Sequence, residues 1–133
     1  MILVDSSVWI DFYRGRVNPE SLRLRAMLQN CEDIAVCGTI LTEVVSGLPN
    51  GDGDRMRKDL LRLPCLATDK VDFVLAADIY RAARHSGKTP GGTADCLIAA
   101  VAIRHQAILL HRDRGFTAIN KLFPRLKIPV ITH

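Results

Sequence analysis

Ile2-Leu3-Val4-Asp5-Ser6-Ser7-Val8-Trp9-Ile10 is the stretch on which the reading of the fold turns. Three consecutive apolar residues ended by an acid and two serines suit a short strand buried on both faces. A serine hydroxyl before an apolar run accepts a bond from a free backbone N–H. Ser6 or Ser7 is therefore expected to cap a helix over Val8 to Tyr13. A strand passing at once into a helix is the first half of a parallel crossover unit.

The same alternation continues outward. Pro19 opens a second helix that runs to Gln29. Ile34-Ala35-Val36-Cys37 is a second strand, leading through Gly38-Thr39 into a helix that contains Glu43 and ends near Gly47. Pro49-Asn50-Gly51-Asp52-Gly53 is a turn cluster, after which Met56, Leu60, Leu61 and Leu63 recur at helical spacing. Pro64 stops that helix, and Cys65-Leu66-Ala67 forms a third strand. Val71, Val74, Leu75, Ile79 and Ala82 mark the buried stripe of a longer helix. Gly87 to Gly92 is a loop, and Thr93 caps a helix from Ala94 to Arg104. Ala107 to Leu110 is a strand, Phe116 to Leu122 a last helix, and Ile128-Pro129-Val130-Ile131 an edge strand, where proline's missing N–H does no harm. The expectation is an α/β domain over residues 1–133: a three-layer α/β/α sandwich with a central, mainly parallel sheet.

Composition narrows the class. At 133 residues, 48% of them apolar and 24% charged, the chain suits one compact globular domain. A membrane span needs about 20 apolar residues, and the longest candidate, Cys96 to Ile103, is cut by Arg104 and His105. Met1 to Asp5 offers no basic leader region, so the protein is expected in the cytoplasm. Cys31, Cys37, Cys65 and Cys96 form no C-x-x-C pair, and Cys37, Cys65 and Cys96 sit among apolar neighbours as expected buried thiols. The net charge of +4 admits a polyanionic partner without requiring one.

Four acids share an address. Open parallel sheets bind ligands outside the carboxyl ends of their strands. Asp5 directly follows the first strand, Asp113 follows the Ala107–Leu110 strand, Asp95 sits in the first turn after Thr93, and Glu43 lies within two turns of the Val36 strand. Carboxylates about 4 Å apart repel by roughly 4 kcal/mol at an effective dielectric of 20, so such a set must bind cations or hold protons. All-oxygen ligation suits Mg2+, with Mn2+ as substitute, and the chemistry that follows is metal-assisted phosphodiester hydrolysis. Asp5 and Asp95 are the expected direct ligands, with Asp113 and Glu43 completing the sites or orienting water, and Ser7 bonding a carboxylate or a bound water. Taken singly, each acid reads as a cap, a turn or a solvated helix residue; the joint pattern makes the case.

Ile2-Leu3-Val4-Asp5-Ser6-Ser7-Val8-Trp9-Ile10, Leu41-Thr42-Glu43-Val44-Val45-Ser46-Gly47, Thr93-Ala94-Asp95-Cys96-Leu97-Ile98-Ala99-Ala100 and Leu109-Leu110-His111-Arg112-Asp113-Arg114-Gly115-Phe116 resemble, in order, the four motifs of PIN-domain proteins, and VapC-type toxins most of all. The resemblance implies a Mg2+- or Mn2+-dependent endoribonuclease, with Asp5, Glu43, Asp95 and Asp113 as its acidic tetrad. It also implies a homodimer and a partner antitoxin that places a peptide segment near the active site. Proteins of this kind commonly cleave structured RNA such as tRNA. The fourth motif often carries a further acid before its phenylalanine; here Gly115 stands in that place.

An acidic pocket repels RNA, so a basic rim is needed. Arg112, Arg114 and Lys88 are the first candidates for phosphate contacts, with Arg14 and Arg16 behind them. Arg55, Arg57, Lys58 and Arg62 read as a solvated helix face. Trp9 and Phe12, three apart, suit core or dimer contacts better than base stacking. Of the histidines, only His111, near Asp113, merits a test. A receiver-like binding domain would want paired acids after the first strand, and a dehalogenase-type phosphatase a D-x-D there; Ser6 and Ser7 occupy those places. A DNA nuclease and a catalytically silent PIN scaffold share the fold's chemistry or shape, and only substrate comparison or substitution of an acid separates them.

Overall fold

The computed structural model describes residues 1–88 and 91–129. Its strands are β1 (Ile2–Val4), β2 (Ile34–Cys37), β3 (Cys65–Leu66) and β4 (Ile108–Leu110). Its helices are α1 (Ser6–Tyr13), α2 (Pro19–Gln29), α3 (Gly38–Ser46), α4 (Asp52–Leu61), α5 (Lys70–His85), α6 (Thr93–Arg104) and α7 (Arg114–Leu122). The strands are parallel and ordered β3-β2-β1-β4. Ile2 pairs with Ile34 on one side and with Ile108 on the other. The chain therefore builds outward from β1 to β3, then returns to add β4 on β1's free edge. That reversal places the switch point of the sheet between β1 and β4.

Every residue of β2 is buried, as are Leu3, Val4, Leu109 and Leu110, so helices cover both faces of the sheet. One cluster of buried side chains, with Trp9, Leu24, Ile40, Ile79, Ile98 and Phe116 among its largest, joins the layers. The α/β/α reading of the sequence is the fold observed. Trp9 is buried and Phe12 packs against the same core, as expected.

Several local expectations are corrected. The first helix begins at Ser6, and its cap is Asp5, whose carboxylate accepts the Ser7 N–H; an acid outcompetes the neighbouring hydroxyls because it carries full charge at the helix's positive end. The sixth helix begins at Thr93, with Gly92 in the capping place at φ +119° and no side-chain cap. The last helix starts at Arg114, capped by Asp113. On α5 the buried residues are Asp72, Ala76, Ile79 and Ala83, while Val71 and Val74 are exposed. Asp72 turns inward because Arg104 meets it there. Cys65 is exposed, whereas Cys37 and Cys96 are buried thiols that burial pushes up to about 11. Of the expected last strand, Ile128 and Pro129 have no strand structure, and Val130 and Ile131 lie outside the described residues; the parallel bridge to Ile108 is made one residue earlier, by Lys127.

Candidate active site

Asp5 ends β1 and stands at the switch point, almost wholly buried. Its Oδ2 accepts the Ser7 hydroxyl at 2.6 Å and the Ser7 N–H at 3.3 Å, so capping fixes the orientation of the carboxylate. Its Oδ1 is buried with no hydrogen-bond partner among the described residues. Such an atom costs about 1–3 kcal/mol or more if it stays unsatisfied. Glu43 comes from the second turn of α3, where the Ser6 hydroxyl donates to its Oε1 at 3.2 Å. Asp113 follows β4 and accepts the Gly115 N–H at 2.8 Å. Asp95 enters from the first turn of α6, half-buried and close enough to Asp113 to feel its charge.

The four acids feel one another. Burial, then the charges of Asp113, Asp5 and Glu43, push Asp95 up to about 7. Burial also raises Asp5, against the pull of the Ser7 bonds and with a further push from Asp113. Glu43 is raised by burial and by Asp5, with Ser6 opposing. Among the described residues no lysine, arginine or histidine forms an ion pair with any of the four. Among the described residues the fold thus gathers negative charge without a paired cation, which is the condition for holding a cation or a proton.

Among the described residues no three acid, histidine or cysteine side chains are already arranged to hold a metal ion. The unpartnered Oδ1 of Asp5 and the all-oxygen donor set fit Mg2+ or Mn2+.

Glycine shapes the mouth of this set. A Cβ on Gly91 would collide with Oδ2 of Asp95 and lie 3.4 Å from Oδ2 of Asp113. A Cβ on Gly115 would lie 3.3 Å from Asp113 Oδ1 and 3.3 Å from the Gly91 nitrogen. Gly115 therefore admits the backbone of the Gly91 loop, in the place where the motif often has an acid.

The basic candidates differ. Arg112 Nη1 donates to Asp11 Oδ2 at 2.6 Å and its Nε lies 3.4 Å from Glu20 Oε2. Arg16 is also bonded to Asp11, at 3.3 Å. Arg114 is exposed and forms no ion pair among the described residues. With Ser7, Asp11 and Asp113, these arginines line an open cleft of about 600 Å³. Lys88 is half-buried, and its N–H closes the end of α5 on the Ala83 carbonyl. His111 is largely buried against Phe116 at 5.2 Å; burial lowers it, against the charges of Asp5 and Asp113. Ser6, Asp11, Glu20 and Gly91 are the parts of the site that reading the sequence missed. The Ser-Ser pair after Asp5 was a signal for Ser6; the others depend on residues far away in the chain.

A doubly covered parallel sheet with acids at its switch point defines the class, and the PIN domain family model matches residues 2–122. The chain belongs to the PIN domain family. It is 39% identical over 125 residues to Ribonuclease VapC11 of Mycobacterium tuberculosis, spanning 92% of this chain and 93% of that protein, and the same figures hold for a VapC ribonuclease of Mycobacterium bovis. The solved structure of FitAcB from Neisseria gonorrhoeae superposes with a TM-score of 0.71 at 26% identity, covering 96% of each chain.

Proposed function

We propose that this chain is a ribonuclease of the VapC kind, a metal-dependent endoribonuclease that hydrolyses RNA phosphodiester bonds and serves as the toxin of a toxin–antitoxin pair. The observation that carries the reading is the convergence of Asp5, Glu43, Asp95 and Asp113 with no cation paired to them among the described residues. The 39% identity to proteins named as VapC ribonucleases supports the substrate class. Asp5 and Asp95 would hold Mg2+ or Mn2+, with Asp113 and Glu43 completing the set. Bound there, such an ion supplies an activated water and neutralises charge on the scissile phosphate.

The chain's own residues do the rest. Ser7 fixes one oxygen of Asp5 and leaves the other for ligation. Ser6 steers Glu43 toward the set. Asp95 exchanges a proton near neutrality and stands ready to give it up when a cation arrives. Arg114 and Lys88 contact RNA phosphates beyond the acids.

The residues act as one domain spanning 1–133, in the cytoplasm. The likeness to VapC-type toxins brings a cognate antitoxin as partner, with tRNA as the first RNA to try. Val71, Phe73 and Val74, all more than half exposed on α5, support a homodimer.

The test is incubation of purified protein with mixed tRNA and rRNA in Mg2+, Mn2+ or EDTA, beside Asp5→Asn. Metal-dependent cutting by the wild type alone is expected. Equal cutting by both proteins, or intact RNA together with unimpaired growth on expression, would overturn the reading.

A further inference from the structure

Arg112 precedes Asp113 in the turn between β4 and α7, yet its side chain is committed elsewhere. Its Nη1 donates to Asp11 on α1 at 2.6 Å, and its Nε lies 3.4 Å from Glu20 on α2. Both acids are buried, at 6% and 8% exposure, although neither belongs to the acidic set. Asp11 is a hub: Arg16 reaches it at 3.3 Å and the Asn18 amide at 3.2 Å. Asn18 in turn caps α2 in a reciprocal pair with Ser21, whose hydroxyl donates to the Arg16 carbonyl at 2.8 Å. The connection between α1 and α2 is thus knitted around one carboxylate, and the fork of Arg112 ties the β4–α7 turn to it. Burial works against the Asp11 charge, but Arg112, Asn18 and Arg16 outweigh it and hold the carboxyl below its ordinary value.

A phosphate contact needs a cation whose charge is free to meet RNA. Both arginines are exposed, but Arg112 spends its charge on two carboxylates, whereas Arg114, two residues on, forms no ion pair among the described residues. We propose that Arg112 is a positioning residue: it braces the β4–α7 turn against Asp11 and Glu20 and so sets where the Asp113 carboxylate stands among the acids. The inference rests on the reading of Asp113 as part of a metal site. Outer-shell partners of metal ligands commonly matter about 10- to 100-fold in affinity. The planar fork is what serves here, since lysine offers a single point of charge.

The test uses the full chain as wild type, Arg112→Lys, Arg112→Gln, Asp11→Asn and the Arg112→Lys/Asp11→Asn pair. Mn2+ affinity is measured by calorimetry, and exchange of the Gly115 amide by NMR, because that amide bonds Asp113. A brace predicts that each single variant weakens Mn2+ binding about tenfold, that lysine rescues nothing, and that the pair is no worse than either alone. Gly115 exchange should quicken while amides of α6 keep their protection. If Asp11→Asn does not fold, the two Arg112 variants, which leave the α2 cap in place, decide the matter. Wild-type Mn2+ affinity and unchanged Gly115 exchange in Arg112→Lys would overturn the proposal, above all if Arg112→Gln lowers the salt dependence of RNA binding by about one ion, as loss of a phosphate contact does. A wild type that binds no Mn2+ sinks the metal reading instead, and the Gly115 exchange then decides the brace alone.

Discussion

The two ends of α6 handle charge in opposite ways. Near its start, Asp95 meets other acids and is pushed up to about 7, first by burial and then by their charges. At its end, nine residues or roughly 13 Å further on, Arg104 meets Asp72 and Asp69, with the His105 ring nitrogen 3.0 Å from its Nη2. Its Nε donates to Asp72 at 2.7 Å, and Nη2 bonds Asp72 and the Ala67 carbonyl and lies 3.4 Å from Asp69. Asp72 is wholly buried, yet its bonds to Arg104 hold its carboxyl below the ordinary value despite burial. Asp72 is buried with its counterion; Asp5 is buried, and Glu43, Asp95 and Asp113 half-buried, with no ion pair among the described residues. The first arrangement serves stability; the second, on the proposed function, would receive an external cation.

The comparison breaks first, and most visibly, at Asp5. Asp5→Asn should lower RNA cleavage by more than about 100-fold, the upper end of what outer-shell changes cost, with the fold intact by circular dichroism. Next comes the paired end. Asp72→Asn removes the carboxylate from Arg104 and should cost about 2–3 kcal/mol in chemical denaturation, while leaving Mn2+ affinity as it was.

A smaller effect is expected at Gly91, where an added Cβ displaces the Asp95 carboxylate. Gly91→Ala should weaken Mn2+ binding about tenfold in calorimetry with little change in stability. The smallest concerns pH. Asp95 is raised above its unfolded value, so the folded state binds the extra proton between about pH 4 and pH 7, and stability falls across that window and levels above it. Asp95→Asn should therefore melt a few degrees higher than wild type at pH 8 and about equally at pH 4. Asp72, held low, works in the other direction: its contribution is full above about pH 4 and is lost as pH falls further.

The acidic set was legible because its address is topological. Strand ends can be read from short apolar runs such as Ile2–Val4 and Ile108–Leu110, and a parallel sheet brings those ends together. The ionic hubs were not legible. Arg112 and Asp11 are separated by 101 residues and Arg104 and Asp72 by 32, and no local pattern announces such a pair. The α5 face was misread for a related reason. Val71 and Val74 are more apolar than Ala76 and Ala83, but α5 packs mainly against α6, whose buried face includes Ala99, Ala100 and Ala102, and close approach there favours small residues. The capping of α1 by Asp5 was misread because three adjacent polar side chains, Asp5, Ser6 and Ser7, all suit a cap, and the charge that favours the acid was not weighed.

The most direct test of the account is thermal denaturation with and without Mn2+ for wild type, Asp72→Asn and Asp5→Asn. A ligand that binds only the folded state adds about 2.7 kcal/mol at a hundredfold excess over its Kd. The account predicts that Mn2+ raises the melting temperature of wild type and of the destabilised Asp72→Asn variant by similar amounts and leaves Asp5→Asn where it was. An equal rise in Asp5→Asn, or none in the wild type, would contradict the claim that the uncompensated acids are built to receive a cation.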